Sequence, residues 1–293
     1  LQLCDVSTSG RVAEDPVPPV STGESIAGGA ATVQRQITEP FSAFVVGRLG
    51  VSTLQPIVPG LSPILRGNLV HSAAFHLYEE RPTQSDIRGW YGKELEHRIS
   101  VATNRAFSRY ERHADRVLQE LLALERERVA RLLKALVAVD LERDSFVIDA
   151  VELSMETVLD EARFGLRVDR IDRFDDGAIA ILDYKTGVSR KFLDRNGEPT
   201  DAQLIVYAIA IEQPVAALGF FNIDSRETTL DACGRDAMTA EEWQESLQYW
   251  TQAVEKAAGE FAAGDVRIRR WQTLRDARLL NILSRFGELR RDA

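Results

Sequence analysis

Between Arg167 and Lys185 the chain reads RVDRIDRFDDGAIAILDYK. Asp169, Asp183 and Lys185 make a D…DxK pattern there, two carboxylates and one ammonium. Two like charges held close repel, and one pKa rises unless a cation sits between them. Mg²⁺ prefers carboxylate oxygens and retains waters, so an open two-carboxylate site suits it. A metal so held can activate a water, polarise a phosphoryl oxygen and offset charge on the leaving oxygen. An ammonium at Lys185 can orient the water or stabilise transition-state charge. The pattern points to metal-assisted phosphodiester chemistry. The bland alternative is a surface hairpin whose Asp and Lys side chains only solvate an edge.

The elements must bring these groups together. Side chains alternate along a strand. Ile179, Ile181, Asp183 and Lys185 therefore share one face, and Ala180, Leu182 and Tyr184 the other. A two-residue Asp176-Gly177 turn would set Asp169 against Tyr184. A three-residue turn, Asp175-Asp176-Gly177, sets Asp169 against Asp183 and Ile171 against Ile181. The second register gathers the carboxylates and matches apolar to apolar, and Gly in a left-handed position suits a three-residue hairpin loop. We expect that register.

Around the hairpin, 33–49 predicts a short helix broken at Pro40, and Arg66–Glu80 an amphipathic helix with His71, Phe75 and Tyr78 on one face. The stretch Gln84–Leu141 reads as helical almost throughout. Val147–Val151 reads as a strand, Asp201–Ile211 as a helix with Asp201 near its start, and Val215–Ile223 and Glu227–Leu230 as strands. Thr239 and Glu242 form a capping-box pair opening a helix to Ala263, and Leu274–Arg291 reads as a last helix. Trp243, Tyr249, Trp250 and Trp271 are expected as core anchors, and Arg170 and Asp172 as local ion pairs.

The hairpin has company. Gln203 and Tyr207 lie at i, i+4 on a helix, and His71 lies on a helix after RGNLV. Arg66-Gly67…His71, then Val168-Asp169-Arg170-Ile171-Asp172, then Leu182-Asp183-Tyr184-Lys185-Thr186-Gly187, then Gln203-Leu204…Tyr207 resemble the PD-(D/E)xK nuclease superfamily in its RecB-like branch. Within it the chain is most similar to the C-terminal nuclease domain of AddB-type proteins and related bacterial DNA repair proteins. Glu39-Pro40-Phe41-Ser42-Ala43-Phe44 with Arg48-Leu49-Gly50 resembles the family's CPFxAF…RLG segment.

The resemblance implies metal ligation by His71, Asp169 and Asp183, with the Tyr184 carbonyl as a further ligand. It implies Lys185 as the catalytic lysine, and Gln203 and Tyr207 as supporting or DNA-contacting residues. Glu152 would match an acidic position of the family. The implied activity is Mg²⁺-dependent hydrolysis of DNA phosphodiesters, with Mn²⁺ able to substitute, exonucleolytic, in DNA repair and recombinational end processing beside a helicase subunit. Many relatives carry cysteines for an iron–sulfur cluster. Here Glu39 takes the first position and Ile268–Ala293 has none, so no cluster is expected and other packing must fasten the N-terminal helix to the C-terminal region.

Composition bounds the rest. The 293 residues are 44% hydrophobic, enough for an ordinary globular core. Two cysteines, Cys4 and Cys233, exclude a disulfide framework and a four-cysteine metal site within this chain. They fit a reducing cytoplasm. No apolar run is long enough to span a bilayer, and no secretory leader is read, so no membrane is expected. The chain starts at Leu1 and looks like a piece of a longer polypeptide. The net charge is −9, which counts against strong autonomous nucleic-acid binding. Charge can be local all the same. Arg98, Arg105, Arg109, Arg112 and Arg116 lie on one helical stretch and Arg267, Arg269 and Arg270 cluster later, either as a binding surface or as solvated faces paired with Glu.

The expected fold class is α/β, a mixed central sheet flanked by helices with a restriction-endonuclease-like core and a helical N-terminal annex. Residues 1–31 would be a linker, 32–144 the annex carrying His71, and 145–293 the nuclease core with C-terminal helices. The alternative to a nuclease is a catalytically silent DNA-binding or scaffolding module of a larger helicase–nuclease.

Overall fold

A computed structural model describes residues 17–52, 58–224 and 226–269. Its strands form one six-stranded mixed sheet. β2 (Val147–Leu159) and β3 (Ala162–Arg173) pair antiparallel along their length, and β4 (Ile179–Thr186) returns antiparallel to β3. β5 (Val215–Ile223) runs parallel to β4, and β6 (Thr228–Gly234) runs antiparallel to β5. Parallel neighbours need a crossover, here the connection carrying helix α7 (Gln203–Ile211). The observed class is the expected one: a mixed α/β sheet flanked by helices, consistent with a restriction-endonuclease-like fold.

The alternation read along β4 decides what covers each face. Ala180, Leu182 and Tyr184, with Phe221, pack under α3 (Pro63–Tyr78), α5 (Lys93–Glu111) and α6 (Arg116–Glu142). Ile179 and Ile181, with Phe220, pack under α1 (Ala30–Thr38), α7 and α8 (Ala240–Ala262). Trp243 of α8 is only 2% exposed and its indole donates to the Val215 carbonyl at 2.7 Å. Burial of a side chain that size contributes at least about 1.5–3 kcal/mol. The Thr239–Glu242 capping box opens α8 as read.

Gln84–Leu141 is helical almost throughout, as expected, in three helices: a short α4 (Gln84–Arg88) ends at Gly89, Gly92 precedes α5, and Asp115 caps α6 by accepting from Leu118 N–H at 2.8 Å. Other expectations are corrected. Structure starts before Thr32: β1 (Glu24–Ile26) pairs parallel with the start of β3. β2 extends well past Val151. Tyr249 is 58% exposed on α8 and anchors nothing, whereas Trp243 and Trp250 are buried. Trp271, Arg270 and 274–291 lie outside the described residues. Pro40 does split the first helical stretch, into α1 and α2 (Pro40–Gly47).

Arg170 and Asp172 are more than a local pair. Both are fully buried, and the Arg170 guanidinium donates to Asp172 at 2.7 Å and to both carboxylate oxygens of Asp140 on α6 at 2.8 and 3.0 Å. Tyr78 of α3 donates to Asp140 at 2.7 Å, and Arg143 pairs with Asp140 and Asp172 at 3.0 and 2.6 Å. This lattice ties α3 and α6 to β3 beside Asp169.

Candidate metal and active site

The hairpin takes the expected register. Ile171 lies opposite Ile181 and Arg170 opposite Leu182, so one step further Asp169 neighbours Asp183. Phe174 N–H donates to Ala178 O, and Gly177 N–H to Phe174 O, both at 2.9 Å, which leaves Asp175-Asp176-Gly177 as the three-residue loop. Gly177 has φ of +83°, the left-handed conformation that loop requires.

The site opens where the sheet splits. On the side away from β2, β3 pairs with β1 at Ala162–Phe164 and with β4 at Arg170–Arg173. The register assigns no strand partner to 165–169 on that side. Side chains take over from the ladder. The Asp169 carboxylate accepts Tyr184 N–H at 2.8 Å, and the Tyr207 hydroxyl donates to the Arg167 carbonyl at 2.8 Å. A cavity of about 530 Å³ lies in the gap. It is lined by His71, Asp169, Asp183, Lys185, Gln203 and Tyr207, and by the start of α1.

α3 brings His71 to this gap. Its first turn is capped by Ser62, which accepts from Leu65 N–H at 3.2 Å, with Pro63 in the first turn. Gly67 lies one turn before His71, and a Cβ there would sit 3.0 Å from Thr186 Oγ1 at the end of β4. Glycine in a helix interior costs roughly 0.5–1 kcal/mol against alanine. Here it lets the helix lie close to β4, so that His71 reaches the acids.

His71 Nδ1 lies 3.3 Å from Asp169 Oδ1 and 3.8 Å from Glu152 Oε1. Ligand atoms of His71, Glu152 and Asp169 all lie within 4.8 Å of one another. Glu152, expected as a supporting residue, thus stands beside the pair, at a positive φ of 48° in β2. Its β2 neighbours Val151 and Leu153 pair with Arg170 and Val168, which sets Glu152 beside Asp169. Asp183 lies outside this trio. Its Oδ2 pairs with Lys185 Nζ at 2.8 Å and its Oδ1 accepts the Gln203 amide at 2.7 Å.

Lys185 Nζ is also 3.0 Å from Gln203 Oε1 and 3.5 Å from Asp201 Oδ2, over the Phe220 ring at 4.8 Å. Asp201, just before the Ala202 N-cap, also accepts Gln203 N–H at 3.0 Å at the start of α7. Its contact with Lys185 went unread in the sequence, where only its helix-start position was visible. The Gln203 amide also donates to Tyr207 at 2.6 Å, so the i, i+4 pair acts as one bracket. The side chain of Tyr184 is buried on the opposite face, edge-on to His71 with ring centroids 5.8 Å apart, and its peptide borders the site.

The electrostatics suit a cation. Burial and the neighbouring Asp169 push the Asp183 carboxyl up to about 7, against the pull of Lys185. Burial lowers the His71 imidazole, and Asp169 and Glu152 outweigh it, raising it to about 10. Clustered carboxylates with one imidazole can ligate a divalent ion, and a cation there would offset the like-charge repulsion that helps raise Asp183. The residues fit a divalent metal. Burial raises the Tyr207 phenol above its usual range, so it serves as a neutral donor.

The mixed sheet splits beside a carboxylate pair, with a lysine two residues on and a helix-borne histidine nearby, and these side chains could hold a divalent ion. The model of the PD-(D/E)XK nuclease superfamily matches residues 38–273, and the chain belongs to that superfamily, whose members are typically metal-dependent nucleases. No curated protein sequence matches it. Among solved structures, the "Crystal structure of SSO0001" is similar over 85% of this chain and 93% of that one, at 13% identity and a TM-score of 0.30.

Proposed function

We propose that the chain is a Mg²⁺-dependent deoxyribonuclease domain that hydrolyses DNA phosphodiesters. The observation that carries this is one cavity holding His71, Asp169, Asp183 and Lys185, with Lys185 Nζ 2.8 Å from Asp183 Oδ2. His71, Asp169 and Asp183 would hold the ion, with Glu152 and the Tyr184 carbonyl completing the donor set. When bound, such an ion supplies Lewis-acid polarisation of the phosphoryl oxygen and an acidified water. Lys185 stabilises the negative charge that develops on the phosphoryl oxygens. Gln203 orients both Lys185 and Asp183 through its two amide atoms, and Tyr207 steadies Gln203 against the β3 carbonyl.

Exonucleolytic action in repair or recombination, the RecB-like and AddB-type affinity, a helicase partner and a cytoplasmic setting rest on the sequence resemblance and the cysteine count. Among the described residues no helix is long and apolar enough to cross a membrane. The test is Mg²⁺ or Mn²⁺ titration on end-labelled linear DNA with wild type, Asp183→Ala and Lys185→Ala. Cleavage by wild type alone is expected. Equal cleavage by all three would sink this assignment of the site, and binding without cleavage would favour a silent DNA-binding module.

A further inference from the structure

Two cavities meet at His71. The second, of about 370 Å³, is lined like the first by His71 and Arg167 but not by Lys185. One face of α3 gives it Asn68, Ser72 and Phe75, and α5 gives it Arg109. The composition is unlike a core. It holds a half-buried aromatic ring, a carboxamide, a hydroxyl and two guanidinium groups.

Arg109 is the telling member. Its neighbours on α5 are neutralised: Arg98 pairs with Glu94 and Glu80, and Arg105 with Glu79. Arg109 forms no ion pair among the described residues; it is exposed, bonded to the Tyr110 hydroxyl and stacked over that ring at 4.5 Å. The acid in the wall, Glu152, is paired with Arg167 at 2.9 Å, so it does not cancel Arg109. An arginine without an ion pair among the described residues thus lines the same cavity as an aromatic ring, beside the candidate metal site.

We propose that this cavity is the subsite for the nucleotide adjoining the scissile phosphate, with its base on Phe75 and its phosphate on Arg109. The inference rests on the nuclease reading and adds to it. A base reaches Phe75 only when released from its partner strand, and a cavity of this size holds a unit of small-molecule dimensions rather than a duplex. DNA is therefore taken single-stranded at this position. The bias toward one α5 arginine also answers how a chain of net charge −9 holds a polyanion, by local charge rather than by its overall field.

The experiment is fluorescence anisotropy with labelled single-stranded and blunt duplex DNA, and a matching RNA, in Ca²⁺, alongside Mg²⁺ cleavage of the same strands. The variants are Phe75→Leu and Phe75→Tyr, Arg109→Ala, and Arg105→Ala as a charge-matched control one turn away. Stacking on a ring supports Phe75→Leu weakening single-strand binding by about fivefold to a hundredfold, with Phe75→Tyr retaining it. Arg109→Ala lowers the slope of log affinity against log salt by about 0.7, the share of one single-strand phosphate contact. Arg105→Ala changes neither. Wild-type affinity in both Phe75→Leu and Arg109→Ala overturns the subsite, as does equal loss on duplex and single strand, or tighter binding of the RNA. Selective loss without cleavage by wild type in Mg²⁺ keeps a single-strand contact at Phe75 and Arg109 but overturns the nuclease reading and with it the place of that contact beside a scissile phosphate. No binding to any nucleic acid overturns both.

Discussion

At the scale of single residues, the proposed site separates holding a metal from doing chemistry. Burial and Asp169 raise Asp183 to about 7, and against burial Asp169 and Glu152 raise His71 to about 10. A divalent ion binds the deprotonated forms and releases their protons. The sign follows: below pH 7 both groups carry a proton that the ion must displace, and above it only His71 does. Metal affinity therefore rises with pH most steeply below about 7, and binding releases about two protons at pH 6 and about one at pH 8.5. Calorimetry in buffers of different ionisation enthalpy measures this directly, and Asp183→Asn removes the step near 7. On the proposed reading, Lys185→Ala removes a group that meets the substrate's charge and not the ion. It retains metal binding while cleavage falls by about 10²–10³-fold. A loss of metal affinity equal to the loss in rate would place Lys185 among groups that only balance Asp183.

At the scale of elements, the position of His71 depends on how closely α3 lies against β4. A methyl at position 67 would meet Thr186 Oγ1 at 3.0 Å, so Gly67→Ala shifts the helix unless the threonine gives way. Supporting contacts of this sort govern metal affinity by about 10–100-fold. Gly67→Ala is expected to weaken Mg²⁺ binding within that range, and Gly67→Ala with Thr186→Ala to restore it, as a double-mutant cycle would show. The buried lattice predicts a different outcome. Asp140→Asn leaves the Arg170 guanidinium short of its counter-charge in the interior and destabilises by about 3–5 kcal/mol in urea unfolding. Burial would raise the Asp140 carboxyl, but Arg170 and Arg143 outweigh it and hold it below its usual range. Its contribution to stability is present above the unfolded pKa and lost as pH falls through the lower folded value, so the asparagine variant lacks that acid-side loss. The hairpin was legible because alternation and an Asp-Gly turn are local signals, and both survive in the register. The lattice was not, since Arg170 and Asp172 look like any exposed pair until α6, 30 residues earlier, supplies Asp140. The place of Glu152 was equally hidden, because a positive φ in a strand leaves no mark in residue type. Likewise β1 is three residues long, too short for any period to register.

At the scale of the whole molecule, the chain closes on itself through the position where relatives were expected to carry a cysteine. Glu39 is 1% exposed, and both its carboxylate oxygens accept Arg269 N–H at 3.1 Å. Around it Gln36 donates to the Asp265 carbonyl at 3.2 Å, Arg269 to the Ile37 carbonyl at 2.8 Å, and Val20 N–H to the Ala262 carbonyl at 2.7 Å. These bonds join α1 and α2 to the chain beyond α8, and the start of α1 is a wall of the metal cavity. The closure thus borders the site through one buried carboxylate that accepts a backbone N–H. A charge-assisted hydrogen bond is worth about 1.5–3 kcal/mol. Glu39→Gln keeps the shape and one acceptor oxygen but loses the charge, so it lowers the melting temperature by about 3–8 °C on the scaling for domains of this size. Hydrogen exchange should rise first at 20–47 and 262–269 and only then across β3 and β4. Because the fastening is a carboxylate, peroxide or an iron chelator leaves the wild-type melting temperature unchanged. A fall in it on either treatment would mean that something other than Glu39 fastens the two ends.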